Sequence, residues 1–228
     1  MQTVPLFAHR GAKAYAPENT LAAFSLAVEM GAPWIELDVH LVDGALIVIH
    51  DERVDRTTNG QGWIWDYSLE ELRALDAGDG EKIPVLEEVL EIVDRRAGLN
   101  VELKGPGTAE ATASVLRAAV KSGWSTDQFI VSSFFHRELR KFGEIASEFP
   151  RAALTMAVPE SYAEFAENLG CGAVHASIEF IDPAFIADAH QRGLDFRIYT
   201  VNHPEELARM DQLGVDAVFT DNPRLVSS

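Results

Sequence analysis

Glu36 and Asp38 sit two residues apart inside the apolar run WIELDVH (34–40), and Glu102 and Lys104 sit two apart inside NVELKG (100–105). Charged side chains are seldom buried unless they are paired or bound to a metal. Alternate residues of a strand share a face, so Ile35, Leu37 and Val39 point one way while Glu36 and Asp38 point the other. Val101 and Leu103 oppose Glu102 and Lys104 in the same manner. Three carboxylates brought together repel one another, and one or more must then take up a proton. A divalent cation removes that conflict, and an all-oxygen donor set with open positions suits Mg²⁺ or Ca²⁺ better than Zn²⁺. Arg10 and Lys104 beside such a cation make a site suited to phosphate. His9 and His50 flank these residues and would supply a general base and a general acid near neutral pH. The rival reading pairs Glu36 and Asp38 with Arg10 and Lys104 as a structural network without a metal.

These residues are spread from position 9 to position 104, so the fold must gather them. Eight apolar runs of strand length recur along the chain: VPLFAH, WIELDVH, LNVELK, FIVSS, AALTMAV, AVHAS, FRIYTV and AVFTD. Helical patterns separate them. Asp182-Pro183 and His203-Pro204 mark helix starts, and Gly170, Gly193 and Gly214 mark helix ends. Repeats of about 20 to 30 residues per strand-plus-helix unit indicate parallel strands with crossover helices. An α/β TIM (β/α)₈ barrel is the expected architecture, with residues 1–228 as one domain. A doubly wound open sheet would usually show a Gly-rich fingerprint after its first strand, and AHRGAKAYAPENT has a single glycine. In a barrel the C-terminal ends of all strands meet at one mouth, which can bring His9, Arg10, Glu36, Asp38, His50, Glu102 and Lys104 together.

The second strand departs from the simple repeat. Asp43-Gly44 reads as a hairpin turn between ELDVHLV and ALIVIHD. Residues 52–82 are then too long for an ordinary barrel loop and are expected to form an inserted cap. Trp63, Trp65 and Tyr67 alternate within it. They suit packing of the insert onto the barrel better than a cation–π cage for a ligand cation. His40 is in register with Glu36 and Asp38 but is expected at the rim, and His136, His175, His190 and His203 are expected to be structural.

The net charge of −17 argues against nucleic acid and against adsorption to an anionic membrane. The single cysteine, Cys171, excludes an internal disulfide and suits a small buried hydrophobe. No apolar run reaches the ~18 residues of a membrane span, and a cytoplasmic location without stable membrane association is the default expectation. The sequence does not indicate an oligomeric state.

Taken together, AHRGA…PENT (8–20), IELDVHLVDG (35–44), VIHD (48–51), DRTTNGQG (55–62), IPVLEEVL (83–90), VELKG (101–105) and GVDAVFTDNP (214–223) closely resemble the glycerophosphodiester phosphodiesterases over nearly the whole chain. The resemblance implies a TIM barrel with a segment inserted after the second strand. It implies metal-dependent hydrolysis of glycerophosphodiesters, such as glycerophosphocholine or glycerophosphoethanolamine, to sn-glycerol 3-phosphate and an alcohol. It makes His9 and His50 the acid–base pair, Glu36, Asp38 and Glu102 the ligands of one Mg²⁺ or Ca²⁺, and Arg10 and Lys104 the phosphate-binding residues. Asn19 is read as part of the first helix's start, near the site. Tyr199 stands where the family often has tryptophan. A lysophospholipase D-like enzyme and a non-catalytic binding barrel are the alternatives.

Overall fold

A computed structural model describes residues 4–225; residues 1–3 and 226–228, the ends of the expected 1–228 domain, lie outside that range. Eight parallel strands close into a ring: β1 (Leu6–His9), β2 (Trp34–Val42), β4 (Gly98–Leu103), β5 (Phe129–Ser133), β6 (Arg151–Thr155), β7 (Ala173–Ser177), β8 (Asp195–Tyr199) and β9 (Ala217–Thr220). β1 pairs with both β2 and β9, which completes the barrel. β3 (Ala45–Val48) lies outside the ring, antiparallel to the end of β2. The turn between them, Asp43-Gly44, has positive φ at both residues (49° and 80°), as a tight hairpin requires.

The helices α1 (Leu21–Glu29), α3 (Leu86–Val93), α4 (Thr108–Lys121), α5 (His136–Ile145), α6 (Glu164–Asn168), α7 (Pro183–Gln191) and α8 (Pro204–Leu213) alternate with the ring strands. Local signals set several ends. The Thr20 hydroxyl caps α1 by accepting from the Ala23 amide, and Asp182 caps α7 ahead of Pro183. The outward faces of the strands, Ile35, Leu37 and Val39 among them, join the helices in the main apolar core. Inside the ring, Phe7, Ile130, Phe219 and small alanines fill the lower layers. Trp34 stacks on Phe7 there, with centroids 5.2 Å apart. Gly98 makes room for that indole, since a Cβ at this position would lie 2.5 Å from the Trp34 ring.

The insert after β3 contains a single 3₁₀ turn (Ile64–Asp66) and the short helix α2 (Leu69–Ala74). It builds a second core from Ile47, Ile49, Val54, Ile64, Leu72 and Ile83, with Tyr67 packed at its edge. Trp63 and Trp65 do not join that core. They remain 39 % and 56 % exposed and stack on each other at 5.0 Å, and the Arg53 guanidinium lies over Trp63.

Candidate active site

The candidate site is built from residues within β1, β2 and β4 and from the segments that follow β1, β3, β4 and β9. Strand register sets the layer: His9 is level with Glu36, and Asp38 with Glu102. Glu36, Asp38 and Glu102 are 3 %, 1 % and 8 % exposed. Each turns one carboxylate oxygen toward the others, all within 4.8 Å of one another. Oxygens on opposite sides of a cation bound at about 2.3–2.6 Å lie up to ~5 Å apart, so the donor set fits a hard divalent ion.

The loop after β1 delivers two further contacts to this cluster. Arg10 and Asn19 adopt left-handed backbone (φ 58° and 57°), and the Asn19 amide donates to the Arg10 carbonyl. The Arg10 amide thereby donates to Glu36 Oε2 at 2.9 Å, and Asn19 Nδ2 to Asp38 Oδ2 at 2.9 Å. Gly11 is required where the loop meets α1. Its φ is +81°, and a Cβ there would lie 2.7 Å from the Ala23 carbonyl carbon.

The cations at the site are fewer than the carboxylates. Lys104 Nζ donates to Glu102 Oε1 at 2.9 Å and lies 3.6 Å from Asp38. Arg10 Nε approaches Asp38 at 3.5 Å while its Nη1 donates to Glu18 at 2.7 Å. Among the described residues, Glu36 receives only the Arg10 amide as a hydrogen bond. Burial, then repulsion from Asp38 and Glu102, pushes the Glu36 carboxyl well above its ordinary range. Burial, opposed by Lys104, still pushes Glu102 up to about 7. Asp38 is buried too, but Lys104, His50 and Arg10 outweigh that and hold it low. A salt-bridge network of Arg10 and Lys104 therefore leaves the cluster under-compensated, which is the condition a divalent cation relieves.

Each flanking histidine leans on a carboxylate. His9 Nδ1 lies 2.7 Å from Asp221 Oδ1, and His50 Nδ1 lies 2.6 Å from Asp51 Oδ1. A carboxylate accepts, so each Nδ1 carries the proton and Nε2 is left as the free nitrogen. Burial is the largest effect on both rings and lowers both from the usual imidazole value. Asp221 and Asp51 were not singled out in the sequence. Both directly follow strand-like runs, in AVFTD and VIHD, and that position was the available signal, although only Asp221 follows a strand of the ring.

His40 lines an opening beside His50 and Lys104, is 5 % exposed, and donates from Nε2 to the His50 carbonyl. His175 is enclosed in the barrel against Phe219. His136 donates to the Leu154 carbonyl, and His190 pairs with Asp216. Cys171 is buried, and burial pushes its thiol up to about 11. Tyr199 lines the cleft with Phe134 and donates its hydroxyl to the Thr155 carbonyl.

The sequence matches the model of the glycerophosphoryl diester phosphodiesterase family over residues 9–225. This chain belongs to that family. The glycerophosphodiester phosphodiesterase of Caldanaerobacter subterraneus is 38 % identical to it, with 96 % of this chain and 94 % of the relative covered. Among solved structures, an Oleispira antarctica phosphodiesterase in complex with the product sn-glycerol-3-phosphate superposes with a TM-score of 0.89. It is 34 % identical, covering 97 % of this chain and 94 % of that one. A glycerophosphodiester phosphodiesterase from Agrobacterium tumefaciens gives a TM-score of 0.82 at 31 % identity, with 97 % of each chain covered. Phosphodiesterase chemistry and the closed barrel are thus common to this group. No helix among the described residues is long and apolar enough to cross a membrane.

Proposed function

We propose that the chain hydrolyses glycerophosphodiesters to sn-glycerol 3-phosphate and an alcohol at the mouth of its barrel. The observation that carries this reading is the buried carboxylate trio flanked by two carboxylate-backed histidines. Glu36, Asp38 and Glu102 would hold one divalent cation, with Mg²⁺ or Ca²⁺ favoured by the all-oxygen donors. When bound, that ion supplies Lewis-acid polarisation of the phosphoryl group. Arg10 and Lys104 bind the phosphate and stabilise the charge that builds on its oxygens. Arg10 Nε is buried and makes no hydrogen bond among the described residues, approaching Asp38 only at 3.5 Å, which suits a donor still open to a substrate anion.

Of the two histidines, one takes a proton at Nε2 from the attacking oxygen and the other gives a proton from Nε2 to the departing alkoxide. Asp221 and Asp51 each hold an Nδ1–H, so the base presents a bare Nε2. The acid enters the step as the imidazolium with a second proton at Nε2, which its carboxylate partner stabilises. The attacking oxygen belongs to water or to the neighbouring glycerol hydroxyl; the second route passes through a cyclic phosphate that can be trapped. The test is to supply glycerophosphocholine or glycerophosphoethanolamine with Mg²⁺ or Ca²⁺, with and without EDTA, and measure glycerol 3-phosphate. Product that disappears with EDTA is expected. No product with either metal and either diester would favour the binding-barrel reading.

A second reading, hydrolysis of lysophospholipids that carry an acyl chain, is favoured by one observation. Among the described residues, the exposed large apolar side chains other than Ile145 lie on the mouth side: Tyr15 after β1, Leu41 on the β2 overhang, Trp63 and Trp65 in the insert, Phe135 after β5, Met156 and Val158 after β6, and Phe180 after β7. The net charge of −17 disfavours anionic lipid, so lysophosphatidylcholine is the probe. Under this reading Trp63→Ala with Trp65→Ala slows its turnover and leaves glycerophosphocholine untouched; equal effects on both substrates would remove the apolar rim from substrate selection.

A further inference from the structure

Arg56, in the inserted DRTTNGQG segment, has no part in the chemistry above, yet it contacts both halves of it. Its Nε donates to Asp51 Oδ2 at 2.6 Å, and the other oxygen of Asp51 accepts from His50 Nδ1 at 2.6 Å. Its Nη1 and Nη2 grip both oxygens of Glu18, at 2.9 and 2.7 Å. Glu18 Oε1 also accepts from Arg10 Nη1 at 2.7 Å. The result is a continuous chain from His50 through Asp51, Arg56 and Glu18 to Arg10. Burial pulls both carboxyls up, but the Arg56 hydrogen bonds help to outweigh it and hold both ionised, Asp51 at about 2. The corresponding path to His9 is looser, since Lys13 lies 3.6 Å from Glu18 and 3.7 Å from Asp221.

We propose that Arg56 is a positioning residue: one guanidinium fixes the His50 ring and the Arg10 fork relative to each other, so that the inserted segment aligns the acid–base group with the phosphate-binding group. This rests on the roles given to His50 and Arg10 in the reading above. The argument is geometric. A planar fork with five donors can hold one carboxylate with two N–H groups and a second carboxylate with a third. A lysine ammonium has the charge but not the fixed directions. Arg56 is itself half-exposed and Glu18 keeps Arg10 as a partner without it, so the arrangement serves geometry more than folding.

The test is a set of double-mutant cycles. Asp51→Asn and Glu18→Gln remove carboxylates that both accept from Arg56. Their effects on kcat/KM are expected to be coupled by a factor of about 5 or more with Arg56 present, and to become additive in the Arg56→Ala background. Asp221→Asn with Glu18→Gln, joined only through Lys13, is the weakly coupled control. Arg56→Ala is expected to lower kcat at least about 10-fold with little change in Tm. Arg56→Lys recovers only part of the loss, and added guanidinium, but not urea, recovers more in Arg56→Ala. Additivity of Asp51→Asn and Glu18→Gln in both backgrounds overturns the proposal. A readout independent of turnover is the downfield NMR resonance of the His50 Nδ1 proton, assigned by its loss in His50→Ala. It is expected to shift or broaden in Arg56→Ala. An unchanged resonance overturns the proposal even if no diester is hydrolysed, whereas an inactive wild type with a shifted resonance counts against the hydrolase reading alone.

Discussion

Glu102 carries the plainest electrostatic consequence at the scale of single residues. Its carboxyl is raised from the ordinary 4.5 to about 7, first by burial and then by Asp38 against the pull of Lys104. The folded chain then holds that proton more tightly than the unfolded chain does. Its contribution to stability is full below about pH 4.5 and is lost as the pH rises through 7. Without divalent cation, thermal stability should fall over that window, and Mg²⁺ or Ca²⁺ should raise Tm more at pH 8 than at pH 5; an equal shift at both pH values would contradict binding at the trio. His9→Ala and His50→Ala should each slow turnover about 10²-fold or more, and near-normal activity in either variant would remove that ring from the chemistry. The clustering of Glu36, Asp38 and Glu102 was legible because strand alternation puts them on buried faces, where carboxylates need a cation or basic partners. Asp221, Asp51 and Glu18 were not, because carboxylates after a strand-like run or in the loop ahead of α1 look in sequence like ordinary solvated loop charges.

Among the elements, the loop between β1 and α1 and the insert after β3 do most to shape the site. The loop brings the Arg10 amide onto Glu36 and the Asn19 amide group onto Asp38, and it can do so only while Gly11 packs against α1. Gly11→Ala should cost roughly 1–3 kcal/mol in urea unfolding and weaken divalent-cation affinity with it. Wild-type stability in that variant would show that the loop relaxes without moving Arg10. The strands, the hairpin turn and the presence of an insert at 52–82 were readable from apolar runs and from Asp43-Gly44. The insert's interior was not. Tyr67 rather than Trp63 or Trp65 packs against the edge of its core, and three alternating aromatics give no indication of which face of a 3₁₀ turn will be covered. Within ESYAEFAENLG only Glu164–Asn168 is helical, with proline and turn residues ahead of it.

Across the whole molecule, closure of the ring is what makes the chemistry possible. β1 meets both β2 and β9, so residues separated by more than two hundred positions, such as His9 and Asp221, are hydrogen-bonded partners. This much follows from eight strand-length runs repeating at a regular interval, and the barrel was accordingly the most legible feature of the sequence. The pairing of particular side chains across the mouth was not legible, because it depends on register and loop geometry that no local pattern encodes. The account depends above all on three carboxylates at that mouth sharing one ion. A crystal soaked with Mn²⁺ and sn-glycerol 3-phosphate, with data collected at the manganese edge, tests this most directly. A single strong anomalous peak in contact with Glu36, Asp38 and Glu102 is the predicted result. A peak elsewhere, or three carboxylates still paired only with Arg10 and Lys104 at saturating cation, would contradict it.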